Sequence, residues 1–187
     1  MLQHLFYDHL DAHSKTFQRL EGLLPELLQA ALWMADAIAG GAKILVCGNG
    51  GSAADAQHFA AELVGRFQKE RRAWPAIALT TDTSAITAIA NDYSFDAIFS
   101  RQVEALGREN DLLLAISTSG NSANVLSAIG QCPDLRMKSI ALLGKDGGKI
   151  SPIADLAVTV PSNVTAHIQE AHIFILHLWC AMLEQHL

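Results

Sequence analysis

The segment from Lys43 to Glu62, KILVCGNGGSAADAQHFAAE, constrains the fold of this chain more than any other. Ile44, Leu45, Val46 and Cys47 make a short apolar run of the kind a parallel strand buries on both faces. The run stops at Gly48, Asn49, Gly50 and Gly51, which can take positive φ and bring bare backbone to a ligand. Ser52 stands where a helix N-cap belongs, and the free N–H groups of a helix start attract an anion. His58 and Glu62 are four residues apart, so on the helix that follows they share a face within two or three turns of the anion turn. A pair with that spacing is more often a surface ion pair than a site. The glycine turn before it shifts the balance toward acid/base or metal chemistry.

The rest of the chain repeats the strand-turn-helix theme. Apolar runs at Ala76 to Leu79, Leu112 to Ser117, Ser139 to Leu143 and Leu156 to Val160 predict four further strands. Helical stretches near Ser84 to Ala90, Ala97 to Leu106 and Asn121 to Ile129 separate them, so the alternation predicts an α/β fold with a parallel sheet and helices on both faces. Helical spacing of Phe17, Leu20, Leu23, Leu24, Leu27, Leu28, Ala31 and Met34 predicts N-terminal helices from about Ser14 to Ala39, with a break at Pro25. The last element, Thr165 to His186, reads as a long helix, apolar around more of its circumference than packing on one sheet needs. With the sticky N-terminal helices (residues 1–40) it predicts an oligomer built on helix packing, each subunit being a single domain over 1–187.

Composition excludes some partners. The formal charge is −6 and no Lys/Arg cluster is longer than Lys69 to Arg72, which argues against general nucleic-acid binding. No apolar run reaches the roughly 20 residues of a membrane span, and the N-terminus lacks the basic and apolar regions of a signal peptide. Cys47, Cys132 and Cys180 have no metal-ligand spacing and read as buried small hydrophobes, so a soluble, reduced, cytoplasmic setting is expected.

A second turn, LLLAISTSGNSANVL, sets Ser117, Thr118, Ser119 and Ser122 around Gly120 and Asn121 directly after a strand. Hydroxyls and backbone N–H groups converging there make a phosphate cradle without a basic residue. It lacks the Gly-Lys-Ser/Thr of a nucleotide P-loop, and the first turn is not GxGxxG, so ATP and dinucleotides are not expected. In an open parallel sheet both turns lie at the carboxyl edge, where ligands bind.

The motifs CGNGGSAADAQHFAAEL, AIANDYSF, ISTSGNSANVL, GKDGGK and HIQEAHIFILH, in this order and spacing, resemble the phosphoheptose isomerases of the sugar isomerase (SIS) domain superfamily, from about Ile44 to His177. The resemblance implies a flavodoxin-like, doubly wound five-stranded parallel sheet and a homotetramer with active sites at subunit contacts. It implies conversion of sedoheptulose 7-phosphate to glycero-manno-heptose 7-phosphate, the first step toward lipopolysaccharide heptose. It also implies roles for residues here: Glu62 as base and His177 as acid; Ser52, Ser117, Thr118, Ser119 and Ser122 on the phosphate; and Asn49, Gly50, Gly51, Asn91 and Asp92 on the sugar, with Glu62 and Gln169 also touching substrate. Zinc, one per subunit, would be held by His58, Glu62, Gln169 and His177. Gln169 and His177 are eight residues, about 12 Å, apart on a continuous helix. Either their side chains lean together, or the helix starts late, or they come from different subunits.

The same superfamily includes non-catalytic tetramers that bind the replication initiator DnaA and lack the residues that Glu62 and His177 provide here; retention of His58, Glu62, Gln169 and His177 argues for the enzyme instead. The family usually has arginine where this chain has His167, next to Ile168. His172 reads as a packing or hydrogen-bonding residue, and His4, His9, His13 and His186 as solvated. Arg66 reads as a surface ion pair at least as readily as a site residue, and GKDGGK as a tight turn.

Overall fold

The computed structural model describes all 187 residues. Five strands, β1 (Ile44–Gly48), β2 (Ala76–Ala78), β3 (Leu112–Ser117), β4 (Lys138–Gly144) and β5 (Leu156–Val160), form one sheet in the order β2-β1-β3-β4-β5, every pairing parallel. Ile44 lies between Ala76 and Leu112, and Leu114 between Val46 and Ile140, so register is carried through the middle of the sheet by residues buried on both sides.

Strand alternation divides the core in two. Ile44, Val46, Leu112, Leu114, Ile116, Ile140 and Leu142 face α2 (Leu24–Ala39), α3 (Gly51–Val64) and α7 (Thr165–His186). Leu45, Cys47, Leu113, Ala115, Ala141 and Leu143 face α5 (Ser100–Leu106) and α6 (Ala123–Ile129), with Ile86, Ile89 and Ala90 of α4 (Thr83–Asp92) at the margin. All three cysteines are free and buried, as the sequence suggests.

The N-terminal region departs from expectation. Helix α1 runs over Leu2–Gln18, well before Ser14, and the break is a 3-10 turn at Arg19–Leu23. Pro25 sits in the first turn of α2, where its missing N–H costs nothing, so it marks a start and not an interruption. Likewise α6 begins at Ala123 with Ser122 as its N-cap residue, and a 3-10 turn at Phe95–Ala97 precedes α5.

Helix α7 is the second backbone of the molecule. Trp179, fully buried, donates its indole N–H to Leu27 O of α2 at 3.0 Å, and truncating an aromatic in such a place costs about 3–5 kcal/mol. His172, also fully buried, donates Nε2–H to Leu143 O of β4 at 2.9 Å and leaves Nδ1 without a partner, so it is a packing and hydrogen-bonding residue as expected. Burial pushes this imidazole down to about 4, against the opposing pull of the Leu143 carbonyl. Below the ordinary value of 6.5 the unfolded chain therefore binds a proton that the folded chain refuses, and stability falls as pH drops from 6.5 toward 4. Urea unfolding across that window is expected to show a slope approaching about 1.4 kcal/mol per pH unit from this residue. His172→Gln, which keeps a donor for Leu143, should flatten it.

Candidate active site

Strand order reverses at β1, which has β2 on one side and β3 on the other, and the crevice of an open parallel sheet opens at such a point. Both polar turns leave the sheet there. After β1, Gly50 is the N-cap of α3 at φ +56°, and Ser52 is a buried residue of the first turn, not the cap that the sequence suggests. After β3, Ser117 and Ser122 bring their hydroxyls to 3.0 Å, Ser117 Oγ accepts Gly120 N–H at 3.2 Å, and Ser119 Oγ accepts Asn121 N–H at 3.2 Å. Thr118 lies between them, partly buried. The two turns are joined directly: Asn49 Nδ2 donates to Asn124 Oδ1 (2.8 Å), and Asn124 Nδ2 donates back to Asn49 Oδ1 (2.9 Å).

The GKDGGK segment is the tight turn expected after β4, and it supports the serine turn from behind. Ile150 N–H donates to Gly120 O at 3.0 Å, and Lys149 N–H donates to Asn121 Oδ1 at 3.2 Å. Gly120 sits at φ +64°, and a Cβ there would lie 2.0 Å from Gly147 O.

Helices α3 and α7 form the other wall. Gln169 lies against Gly51, where an added Cβ would come within 2.2 Å of Gln169 Nε2. Two turns on, His58 Nε2 and His177 Nε2 are 2.8 Å apart, with the rings edge to face, and Glu62 Oε1 is 3.4 Å from His58 Nε2. These contacts run in the same order along both helices, so α3 and α7 lie side by side in the same direction. Because α7 is continuous from Thr165, a late helix start does not bring Gln169 to His177. Within this chain His58, Glu62 and His177 come together, and Gln169 stands about two turns away, against the glycine turn at Gly51. His58 and His177 face each other through one Nε2···Nε2 hydrogen bond, and no group of three or more His, Cys, Asp or Glu side chains is arranged around a common point for a metal ion, although imidazole and carboxylate are donor types that zinc takes.

Asn91 and Asp92 do not join either group. Asn91 Nδ2 donates to Asp92 Oδ1 at 2.8 Å on the exposed last turn of α4, about 12 Å along that helix from its start. Arg66 pairs loosely with Glu70 at 3.8 Å on the surface. His13 is not solvated as expected: its Nδ1–H donates to Glu170 Oε2 at 2.8 Å. The same oxygen accepts Nδ1–H of buried His167 at 2.9 Å, with His9 edge-on to the His167 ring. His167, in place of the family's arginine, thus helps fasten α1 to α7.

Two polar residues of this region carried no usable sequence signal. Asn124 follows the serine cluster as an ordinary helix residue. Asp55, half-buried on α3 between Gly51 and His58, has an Oδ2 with no partner. Burial pushes its carboxyl up to about 6, partly offset by His58.

A family model described as "SIS domain" matches residues 8–144. "Phosphoheptose isomerase" of Helicobacter pylori is 51% identical over 187 residues, which is 100% of this chain and 97% of the relative. This chain belongs to the phosphoheptose isomerases of the SIS-domain family. Solved phosphoheptose isomerases share the whole architecture: that of Neisseria gonorrhoeae at TM-score 0.94 and 48% identity, covering 99% of this chain and 100% of that one, and that of Francisella tularensis at 0.96 and 42%, covering 99% of each. As in those relatives, the sheet is flanked by helices and closed by a long C-terminal helix. The chain is accordingly an isomerase, and no helix is long and apolar enough to cross a membrane.

Gly51 and Gly120 should fail differently when substituted. At Gly51 the obstacle is the flexible end of Gln169, so Gly51→Ala is expected to fold normally while displacing that side chain and raising KM about tenfold. At Gly120 the obstacle is backbone and φ is positive, so Gly120→Ala should lose about 3 kcal/mol or more of stability in urea unfolding.

Proposed function

We propose that this phosphoheptose isomerase converts sedoheptulose 7-phosphate to D-glycero-D-manno-heptose 7-phosphate through an enediol, supplying heptose for lipopolysaccharide. The observation that carries the reading is the meeting of His58, Glu62 and His177 on the two helices whose earlier turns, at Gly51 and Gln169, lie beside the glycine turn. Ser52, Ser117, Thr118, Ser119 and Ser122 hold the phosphate through hydroxyls and the N–H groups of the two turns. Asn49, Gly50, Gly51 and Gln169 line the sugar chain, and Asn91 and Asp92 reach sugar from a neighbouring subunit, which agrees with their separation from the rest of the site in one chain.

With the phosphate fixed, the far end of the sugar is brought to the acid and base. Glu62 removes a proton from C1 and returns it to C2, while His177 protonates the C2 oxygen and later accepts the proton of the C1 hydroxyl as the aldehyde forms. The proton count balances, and no other reactant is consumed. His58, Glu62 and His177 would hold one Zn²⁺ per subunit, and Gln169, two turns away within one chain, would be the fourth donor only by leaning toward them or from a neighbouring subunit; when bound, the ion would polarise the substrate oxygens during proton transfer.

The assembly proposed is a cytoplasmic homotetramer of single SIS domains, with residues 1–40 and α7 in the contacts. Leu2, Leu5, Phe6 and Leu10 on α1 are exposed, and a cavity of about 390 Å³ between α2 and α7 is lined by Leu28, Ala31, Leu32, Ala181 and Met182. Apolar surface of this kind supports burial in a subunit contact. The buried free thiols fit a reducing compartment.

Incubation with sedoheptulose 7-phosphate should yield the aldose phosphate, and no conversion by well-folded protein would refute the assignment. Glu62→Gln should lower kcat by about a thousandfold while leaving assembly and phosphate binding intact. Normal turnover in that variant removes Glu62 as base. Purified protein should contain close to one zinc per chain by elemental analysis, and a His58→Ala/His177→Ala variant should contain none.

A further inference from the structure

The connection from the end of α3 to β2, residues 65–75, forms neither helix nor strand and carries Arg66, Lys69, Glu70, Arg71 and Arg72. A segment so polar belongs on the surface, loosely held. One side chain holds it instead. Glu184, near the end of α7 and with its side chain 2% exposed, accepts the backbone N–H of three consecutive residues: Phe67 (3.2 Å to Oε1), Gln68 (3.1 Å to Oε2) and Lys69 (2.9 Å to Oε2). Lys69 Nζ donates to Glu184 O at 2.8 Å, and Arg71 Nε lies 3.3 Å from Glu184 Oε1.

Arg71 extends the clasp to α3. Its guanidinium donates to Glu62 O at 2.7 Å and Leu63 O at 2.9 Å, carbonyls of the last helical turn of which Leu63 O also accepts Trp74 N–H at 3.0 Å, and lies 3.5 Å over the Trp74 ring. Burial alone would raise the Glu184 carboxyl, but the N–H groups of Lys69, Gln68 and Phe67 and the charge of Arg71 hold it below the usual range, so it is ionised at neutral pH. An apolar residue in that space would leave three backbone N–H groups and the Arg71 guanidinium without a partner, so the carboxylate fixes the path of this segment.

The clasp delivers one ring to the site. Phe67 lies nearly parallel to the His177 imidazole, with centroids 5.5 Å apart and planes 22° from one another. His177 meets His58 through Nε2 at 2.8 Å, which sets where the nitrogen points. A single contact at Nε2 leaves the ring free to turn about that direction; a flat neighbour removes the remaining freedom. Glu184 and His177 are seven residues apart on α7, two turns along the same face, so the imidazole and the anchor of its cover ride on one rigid element.

We propose that Phe67 is a positioning residue for His177, held in place by Glu184 and Arg71, and that the plane of the imidazole depends on this stack. The inference rests on His177 acting in the reaction, as proposed above. The test is a double-mutant cycle on the zinc-loaded tetramer with sedoheptulose 7-phosphate as substrate. Phe67→Leu keeps an apolar side chain without the flat face, and kcat is expected to fall between about tenfold and a hundredfold, KM staying within about twofold. Phe67→Tyr, which restores the ring, should recover wild-type kcat. Glu184→Gln, with one acceptor oxygen where there were two, should lower kcat as well. Combined with Phe67→Leu it should add nothing further, because both act through one contact.

Wild-type kcat in Phe67→Leu, or fully additive losses in the double variant, overturns the proposal. Should Phe67→Leu not fold, Glu184→Gln decides alone, and unchanged kcat there overturns it. His177→Ala separates the two readings: turnover retained in that variant removes the acid, whereas turnover lost there but intact in Phe67→Leu leaves the acid and removes the positioning.

Discussion

Everything on one wall of the site depends on α3 and α7 lying along each other in the same direction and in a fixed register. Gln169 faces Gly51, His177 faces His58, and Glu184 reaches the chain just past the end of α3. Each pairing is about two turns beyond the previous one, so a slip of a single turn would lose all three together. The register is fixed elsewhere, by the Trp179 indole on Leu27 and by His172 on Leu143, where α7 meets α2 and the sheet. Buried hydrogen bonds of this kind contribute little net energy when made and cost much more when broken, which suits them to specifying position.

The sheet supplies the opposite wall by different means. Parallel strands end at one edge, and the reversal of order at β1 sets the turns after β1 and β3 side by side there. Those turns offer hydroxyls, amides and backbone N–H groups, not fixed charges. A phosphate bound there, as proposed, without a basic residue would avoid burying an unpaired cation when the ligand leaves.

Much of this was legible in the sequence, because short-range constraints carried it. The strands announced themselves as apolar runs that stop at glycine or serine, and Ile44 to Cys47 and Leu112 to Ser117 fall where expected. His58 and Glu62 share a helix, so their spacing was informative. Pairings that cross the chain were not legible. Nothing near Glu184 in sequence indicates that it will gather three N–H groups of residues more than a hundred positions earlier, and Phe67 reads as one aromatic in a charged loop. His13 looked free for the same reason, since its partner Glu170 lies on a distant helix. The start of α1 was missed because residues 2–13 face mostly outward and show no buried stripe, and Pro25 was misread because proline breaks a helix interior but suits a first turn.

The reciprocal amides of Asn49 and Asn124 have a consequence for how this molecule can vary. Each side chain spends both a donor and an acceptor on the other, so an aspartate at either position would set oxygen against oxygen, and an aliphatic residue would strand two polar atoms. Neither position can drift alone. Two turns that are 75 residues apart along the chain are therefore inherited as a single surface, and a lineage that reshapes one must arrive at its change in the other at nearly the same time.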